Sequence, residues 1–364
     1  MTGAPSPPAG DGLTGPMDHA LRLARRGLGQ VWPNPAVGCV IVKDGIVVGR
    51  GWTQAGGRPH AETVALAQAG PAARGATAFV TLEPCAHHGR TPPCAAALVA
   101  AGVARVVTAL TDPDRRVAGR GHAMLREAGI EVIEGVRAEA AAEVNRGFLL
   151  RVTEGRPLVT LKLATSLDGR IATASGESRW ITGAAARHRV HLLRLTHDAV
   201  LVGGGTARAD APRLDVRGFG PVRQPLRLVL ARGAVPALPE GAPVWHLHGP
   251  GGTPMPGAEG IPVAETGTGL DLAAALAALG ARGLTRVFCE GGGQLAAGLL
   301  AARLVDELVL MTAGIALGAE GRPGLGALPV PRLADAPRFR LAGVEPAGGD
   351  VIQRWRRDPG GDPP

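Results

Sequence analysis

The fold and chemistry of this 364-residue chain are decided by residues 58–98, RPHAETVALAQAGPAARGATAFVTLEPCAHHGRTPPCAAAL. His60 precedes a segment with helical character over Ala61–Ala69, which a Gly-Pro step ends. The apolar run ATAFVTL then predicts a central strand, and CAAALVAAG predicts a short helix that begins at Cys94 and ends at Gly102. One histidine and two cysteines are therefore expected at the ends of helices and strands within an α/β layer.

These residues predict a zinc site with an open coordination position. His60, Cys85 and Cys94 offer one imidazole nitrogen and two thiolates, which suit Zn²⁺ better than magnesium or calcium. Three protein ligands leave a fourth tetrahedral position for water, as in catalytic zinc sites. Glu62 follows His60 by two residues and can move a proton from the attacking water to a leaving amine. The order of these residues predicts a zinc deaminase of the nucleobase type, with one Zn²⁺ per chain.

Two other interpretations of the cysteines remain open. A closed structural site would need a fourth protein ligand, which His87 or His88 could supply. A nucleic-acid-editing deaminase would place its cysteines in a Cys-x-x-Cys spacing, whereas eight residues separate Cys85 from Cys94 here. The loop between the cysteines carries His87, His88 and Arg90, and its positive character is typical of a site for a phosphorylated substrate.

Composition narrows the function classes. Hydrophobic residues make up 45% of the chain and charged residues 19%, and no apolar run reaches membrane-spanning length. Residues 1–16 lack the basic region and apolar core of a signal peptide, so we expect a cytoplasmic protein with no membrane contact. The net charge of +8 comes from scattered arginines, and aromatics are only 3%. A basic, aromatic nucleic-acid groove is therefore not expected.

The sequence pattern predicts two different α/β domains, at residues 17–150 and 151–357. We expect flexible tails at residues 1–16 and 358–364. A helix is expected over residues 18–29, and residues 153–157, TEGRP, predict a linker. In the first domain, Asp44 and Gly45 predict a two-residue hairpin turn. In the second domain we expect a helix over Ala184–Leu195 and a surface loop over residues 249–260.

Two glycine-rich turns in the second half each follow a predicted strand, in VLVGGGTARAD and FCEGGGQLAAGLL. Such turns allow close backbone approach, and a helix N-terminus attracts phosphate. Neither turn has the GxGxxG spacing, so a plain dinucleotide-binding fold is not predicted, and both remain compatible with simple tight turns. Lys162 is one of only two lysines in the chain, which suggests that an ammonium is required in the strand VTLKLA.

The motifs WPNPAVGCVIVKDG, PHAE, TLEPCAHHGRTPPC, DPDRRVAGRG, LKLATSLDGRIATASGESRWITG and EGGGQLAAGLL resemble those of the bifunctional riboflavin-biosynthesis deaminase/reductases. The resemblance covers nearly the whole chain. It implies a cytidine-deaminase-like three-layer α/β domain followed by a dihydrofolate-reductase-like α/β domain. The implied reactions are zinc-dependent deamination of 2,5-diamino-6-(5-phosphoribosylamino)pyrimidin-4(3H)-one and NADPH-dependent reduction of its ribosyl group to ribityl. The resemblance also implies a homo-oligomer.

Site residues in the first half follow from the resemblance by motif. It implies that His60, Cys85 and Cys94 bind zinc and that Glu62 transfers protons. The residues implied to hold the deamination substrate are Asn34, His87 and Arg90. The chain departs from the family pattern at Trp32, where a histidine or similar residue is expected, and at Thr53, where a pocket histidine is expected, and this leaves the finer substrate contacts open.

In the second half, the residues implied to face NADPH are Ala164, Trp180, Thr206, Asp210, Gly291, Gly292 and Gly293. Those implied to face the substrate are Ser178, Arg194, Leu214, Arg217 and Glu290. Arginine forks match phosphate oxygens in two-point contacts, so Arg194 and Arg217 suit the ribose phosphate. We expect Lys162 to act on the sugar during reduction. Two alternatives stay open: a silent second domain, and a zinc-stabilised binding protein without selective NADPH binding.

Overall fold

The computed structural model describes residues 12–86, 92–114, 118–267 and 269–358. The chain divides into two compact units, Met1–Glu154 and Gly155–Pro364. The helices and strands of the first unit are α1 (Thr14–Ala24), β1 (Gly38–Lys43), β2 (Ile46–Trp52), α2 (Ala61–Ala69), β3 (Thr77–Val80), α3 (Cys94–Ala101), β4 (Arg105–Thr108), α4 (Arg120–Glu127), β5 (Glu131–Ile133) and α5 (Ala138–Glu154).

The first unit is built on a five-stranded sheet with the order β2-β1-β3-β4-β5. Strand β1 runs antiparallel to β2 and β3, whereas β3, β4 and β5 are parallel. Asp44 and Gly45 join β1 to β2 with φ angles of 49° and 77°, as the predicted two-residue hairpin turn requires. The predicted hairpin and the central position of β3 are confirmed.

Helices cover both faces of this sheet. Cys39 and Ile41 of β1 lie in one core with buried residues of α2, α3 and α4, and the intervening Val40 lies in another with residues of α1 and α5. The three-layer α/β architecture expected for the N-terminal half is therefore confirmed.

Helix α2 lies directly on strand β2. A Cβ atom at Gly49 would be 2.3 Å from the carbonyl oxygen of Ala65, and one at Gly51 would be 2.3 Å from that of Ala61. Glycine is therefore required at both positions for the helix to approach this closely. The contact fixes the first turn of α2, which carries Glu62 and follows His60.

Two boundaries in the first unit differ from expectation. Helix α1 begins at Thr14, inside the expected tail at 1–16 and ahead of the helix predicted from residue 18. Pro16 does not prevent this, because the first turn of a helix has no N–H partners to lose. Helix α5 was not predicted, and it extends through Glu154, so the predicted linker at 153–157 begins within it. The predicted C-terminal tail falls on described residues only at Asp358, and its remainder lies outside them.

The helices and strands of the second unit are β6 (Leu158–Thr165), β7 (Arg170–Ala172), α6 (Ala184–Leu195), β8 (Ala199–Gly203), α7 (Gly204–Asp210), β9 (Leu226–Leu230), β10 (Val244–His248), β11 (Glu259–Pro262), β12 (Glu265–Thr266), β13 (Gly269–Leu270), α8 (Leu272–Ala281), β14 (Arg286–Cys289), α9 (Gly293–Ala301), β15 (Glu307–Ala313), β16 (Arg322–Pro323), β17 (Phe339–Ala347) and β18 (Asp350–Arg357).

Nine strands of the second unit form one sheet with the order β11-β10-β9-β8-β14-β6-β15-β18-β17. The seven strands from β11 to β15 are parallel, and β18 and β17 complete the sheet in antiparallel pairing. The carboxyl ends of the seven parallel strands therefore lie along the same side of the sheet, where α/β proteins bind ligands. Helix α6 has the predicted bounds. Within the described part of the chain, none of the helices is long and apolar enough to span a bilayer.

Several elements of the second unit were not predicted from the sequence. Helix α8 and the β17–β18 hairpin are absent from the predicted series, and β11 begins inside the loop expected over residues 249–260. The glycine-rich turn after β8 continues directly as helix α7. Helix α8 is almost uniformly apolar, LAAALAALGA, so its sequence lacks the polar face that marks a surface helix.

Candidate active sites in the two units

The three expected zinc ligands lie together in the first unit. His60 immediately precedes α2, Cys85 lies in the loop after β3, and Cys94 is the first residue of α3. The Nδ1 atom of His60 is 3.3 Å from the Sγ atom of Cys94 and 3.8 Å from that of Cys85. All three donor atoms lie within 4.8 Å of one another, which is close enough for them to share one ion.

The two thiols are electrostatically coupled. The backbone N–H of Cys94 donates to the Sγ atom of Cys85 at 3.3 Å. The side-chain hydrogen bond with Cys94 lowers the pKa of Cys85 to about 4, and the same contact raises the pKa of Cys94. Without a cation the pair therefore holds one negative charge, and a divalent cation would favour ionisation of both thiols. The one nitrogen and two sulfur donors that the described residues bring together fit Zn²⁺.

Glu62 lies in the first turn of α2, where the helix packs on strand β2. Its side chain is buried, and burial raises the pKa of Glu62 to about 7. A carboxyl group in this environment can both accept and return a proton near neutral pH. Glu62 therefore has the burial and the pKa that the predicted proton transfer requires, and its role stays a prediction.

The residues expected around the deamination substrate are only partly described. Asn34 donates from Nδ2 to the carbonyl oxygen of Gly57 at 3.2 Å, so it braces the turn that leads to His60. Thr53 is buried, and its Oγ1 accepts from the backbone N–H of Val37 at 3.0 Å. The departure at Thr53 therefore places a residue bound to the backbone where a pocket histidine was expected. His87, His88 and Arg90 lie outside the described residues.

In the second unit, Lys162 and Glu290 occupy neighbouring positions, each one residue after a register pair of the parallel strands β6 and β14. Leu161 of β6 is in register with Cys289 of β14, and the next residue along each chain is Lys162 or Glu290. Burial lowers the pKa of Lys162, and the negative charge of Glu290 opposes this shift. Burial tends to raise the pKa of Glu290, but Arg194 and then Lys162 overcome it and lower that pKa. Each of the two groups therefore favours the charged form of the other.

Arg194, in the last turn of α6, donates three hydrogen bonds to other groups of the second unit. Its Nε and Nη2 atoms donate to the two carboxylate oxygens of Glu290 at 2.5 and 2.9 Å, and its Nη1 donates to the carbonyl oxygen of Asp215 at 2.7 Å. Three N–H groups are thus already bound. The expectation that Arg194 holds the ribose phosphate by a two-point contact is therefore less well supported than a role in orienting Glu290.

The remaining substrate candidates of the second unit differ in exposure. Arg217 has 64% of its side chain exposed and lies 3.3 Å from the carboxylate of Asp215. Leu214 is buried and has a φ angle of 55°, so it turns the chain sharply ahead of Asp215. Ser178 is exposed in the segment between β7 and α6. Of these, Arg217 is the side chain most able to reach a phosphate.

The two glycine-rich turns abut one another in the second unit. A Cβ atom at Gly291 would lie 2.7 Å from the backbone nitrogen of Gly203, and one at Gly292 would lie 3.1 Å from the Oγ1 of Thr206. Gly293 begins α9, so backbone N–H groups of its first turn are available to a phosphate. Glycine at position 291 therefore lets the two turns pack this closely, and the start of α9 is the feature that fits a phosphate of a nucleotide cofactor.

The other candidate cofactor residues lie on β6, on α7 and in the segment between β7 and α6. Ala164 lies on β6, and Thr206 and Asp210 lie on α7. Trp180 has 68% of its surface exposed, with the Arg187 guanidinium 4.7 Å above its ring. An exposed indole supported by a cation offers a flat face to a planar ring.

Sequence reasoning overlooked Glu83, whose buried carboxylate accepts four backbone N–H groups close to Cys85. An acidic residue directly after an apolar strand, in TLEPC, was the available indication, because a buried carboxylate needs several donors.

Family models match the chain in the same two regions. The cytidine and deoxycytidylate deaminase zinc-binding region matches residues 15–110, and the RibD C-terminal domain matches residues 157–353. Together with the two sites, these matches define a bifunctional enzyme in which a zinc deaminase domain precedes a dihydrofolate-reductase-like reductase domain.

Full-length relatives show which such enzyme family this is. The chain is 44% identical to riboflavin biosynthesis protein RibD of Escherichia coli K12 over 92% of this chain and 96% of that protein. It is 43% identical to RibD of Haemophilus influenzae over 92% and 95% of the two chains. The structure of Acinetobacter baumannii RibD, form 1, superposes with a TM-score of 0.85 at 40% identity over 95% and 99%. The chain belongs to the RibD family of riboflavin biosynthesis proteins, and the family resemblance stated from its motifs is confirmed.

A further relative of known structure carries a functional description. The Thermotoga maritima protein described as a diaminohydroxyphosphoribosylaminopyrimidine deaminase/5-amino-6-(5-phosphoribosylamino)uracil reductase is 34% identical. It superposes with a TM-score of 0.86 over 95% of this chain and 99% of that one.

Proposed function

We propose that this chain catalyses two successive steps of riboflavin biosynthesis. The first is hydrolytic deamination of 2,5-diamino-6-(5-phosphoribosylamino)pyrimidin-4(3H)-one, and the second is NADPH-dependent reduction of the ribosyl group to ribityl. The observation that carries the proposal is the convergence of His60, Cys85 and Cys94 with Glu62 buried beside them. Membership of the RibD family and the activities named for the Thermotoga maritima relative support the same substrates.

In the deaminase site, His60, Cys85 and Cys94 would hold Zn²⁺, which would supply an activated water. Glu62 would take a proton from the attacking water and return it to the amine, which would leave as ammonia while the water oxygen stays on the ring carbon. Asn34, with His87 and Arg90 of the loop between the cysteines, would hold the substrate.

In the reductase site, bound NADPH would supply the hydride to C1 of the opened sugar. Gly291, Gly292 and Gly293 would take a cofactor phosphate at the start of α9. The residues that would line the rest of the cofactor are Ala164, Trp180, Thr206 and Asp210. Lys162 would donate a proton to the sugar, with its charge balanced by Glu290. Arg217 would bind the ribose phosphate, with Ser178 and Leu214 beside it and Arg194 acting through Glu290.

We further propose that the chain acts as a homo-oligomer in the cytoplasm. None of its four cysteines, all of which the structure describes, forms a disulfide, which suits a reducing compartment, and the second reaction consumes NADPH. Light scattering of the purified protein tests the oligomeric state.

The test follows ammonia release and NADPH oxidation separately in zinc-loaded protein given the diaminopyrimidine ribotide. We expect ammonia first and NADPH oxidation after it. Treatment with a chelator should stop both on this substrate but leave reduction of the deaminated intermediate. Zinc binding without ammonia release would instead favour a structural metal, and ammonia release without NADPH oxidation would favour a silent second domain.

A further inference from the structure

The buried carboxylate of Glu83 has no place in the reactions described above, yet it is fully engaged. Glu83 follows β3 and lies two residues before Cys85. Each carboxylate oxygen accepts two backbone N–H groups from a distant part of the chain. The donors are Asp112 at 3.0 Å and Gly119 at 3.0 Å to Oε2, and Gly121 at 2.8 Å and His122 at 3.4 Å to Oε1.

Glu83 supplies the N-terminal cap that helix α4 lacks. The capping residue of α4 is Gly119, which has no side chain to accept the N–H groups of the first helical turn. Glu83 accepts those N–H groups from outside the helix, and its negative charge lies at the positive end of the helix dipole. Helix α4 is therefore anchored to the segment that carries Cys85.

The contact between α4 and this segment is close. A Cβ atom at Gly121 would lie only 2.0 Å from the carbonyl oxygen of Pro84, the residue next to Cys85. On the α3 side, the backbone N–H of Ala95 donates to the carbonyl oxygen of Cys85 at 3.2 Å, and that of Cys94 donates to its Sγ atom at 3.3 Å. Cys85 is thus held between the first turns of two helices.

We propose that Glu83 is a positioning residue of the zinc centre. Glu83 accepts hydrogen bonds from the first turn of α4 and is joined to Cys85 through Pro84, so it fixes the position of Cys85 relative to His60 and Cys94. Glu83 itself touches neither metal nor substrate. The proposal rests on the zinc-dependent deaminase function proposed above. Groups that hold metal ligands in place influence metal retention and ligand geometry directly.

The test replaces Glu83 by glutamine, which preserves shape but has a single carbonyl oxygen for four N–H donors. Its amide NH₂ would face donors rather than acceptors. We expect the zinc-loaded variant to lose Zn²⁺ to a chromogenic chelator about 10- to 100-fold faster than the wild type. The d–d absorption of the Co²⁺-substituted protein should shift, and ammonia release should slow. NADPH-dependent reduction of the deaminated intermediate should remain at the wild-type rate, which shows that the second domain is folded.

The matched control is Glu131→Gln, which removes a carboxylate from an exposed ion pair with Arg105 in the same unit. This variant should retain zinc as the wild type does. If Glu83→Gln does not fold, Gly121→Ala provides the second test, because its Cβ atom would press α4 away from Pro84. Faster zinc loss in Gly121→Ala then supports the proposal, and wild-type zinc retention overturns it.

A folded Glu83→Gln protein with the zinc release rate and Co²⁺ spectrum of the wild type would show that Glu83 only stabilises the fold. Zinc release is measured without substrate, so its outcome stands apart from the proposed deamination. Absence of ammonia release in the wild type itself would overturn the proposed function and leave the zinc-release comparison valid.

Discussion

Arg194 and Glu290 form a two-point ion pair in which 11% and 12% of the respective side chains are exposed. The pair fixes the carboxylate of Glu290 beside Lys162 at the edge of the sheet. Because the fork of Arg194 is directed at a carboxylate of its own chain, its effect on reduction should pass through Glu290.

Arg194→Lys should therefore lower kcat of the reductase more than it raises KM for the deaminated intermediate. A lysine cannot reproduce the two parallel hydrogen bonds, and loss of one bond to a charged group costs about 1.5–3 kcal/mol, or roughly tenfold or more in rate. Steady-state kinetics with the deaminated intermediate measures both constants. The control is Arg189→Lys on the same helix, which affects a more exposed pair with Glu345. A rise in KM alone would assign Arg194 to the phosphate.

If Lys162 is the proton donor, the rate of reduction should decrease at high pH. Burial lowers the pKa of Lys162 below the 10.5 of an ordinary lysine, so its ammonium loses the proton at a lower pH than a free lysine would. If the ammonium donates to the sugar, kcat/KM for reduction should fall as pH rises through this lowered pKa. Lys162→Met should remove this limb and lower kcat/KM by about 10²–10⁴. A rate that rises with pH over the same range would mean that the neutral amine is the active form.

Burial of His197 should make the stability of the fold decrease at acidic pH. Burial, followed by the charge of Arg286, lowers the pKa of His197 to about 3 from 6.5. Between these values the unfolded chain binds a proton that the folded chain does not. Stability from this group is complete above pH 6.5 and is lost as pH falls towards 3, by at most about 1.4 kcal/mol per pH unit. Urea unfolding at several pH values should show a shallower dependence for His197→Gln. Equal slopes for the two proteins would contradict the shift.

Loss of the Asp306 carboxylate, which lies outside both candidate sites, should lower the stability of the fold considerably. Its side chain is 1% exposed and accepts from Nη1 and Nη2 of Arg156 at 2.7 and 2.9 Å. Asp306→Asn would remove the countercharge that Asp306 supplies to the buried Arg156 guanidinium, so the free energy of unfolding should fall by about 3–5 kcal/mol. Glu259→Gln, which removes an exposed pair with Arg282, should cost no more than about 1 kcal/mol. Similar losses in both variants would mean that burial does not decide the effect.

Local patterns in the sequence were sufficient for the Asp44-Gly45 turn and the bounds of α2. The grouping of His60 with cysteines 25 and 34 residues away followed from the ligand chemistry of these residue types, because one imidazole and two thiolates in this order suit a zinc site. The role of Glu83 could not be read in this way, because its hydrogen-bond donors lie about 30 to 40 residues further along the chain. Partners of buried charges are set by tertiary packing.

The second unit shows the same division. Helix α6 has clear amphipathic spacing and was predicted with its correct bounds. Helix α8 is apolar on all sides, so periodicity does not reveal it. The ion pair of Arg194 with Glu290 joins residues 96 positions apart, so sequence reasoning could not show it, and the phosphate contact expected of Arg194 stays a prediction.

The most direct measurement of the central claim uses Glu62→Gln, because it separates the two reactions in one chain. The variant keeps the three metal ligands and should still bind one Zn²⁺, but ammonia release from the diaminopyrimidine ribotide should fall by about 10²–10⁴. NADPH oxidation on that substrate should fall equally and return to the wild-type rate when the deaminated intermediate is supplied. Wild-type ammonia release from zinc-loaded Glu62→Gln would contradict the account of the deaminase site.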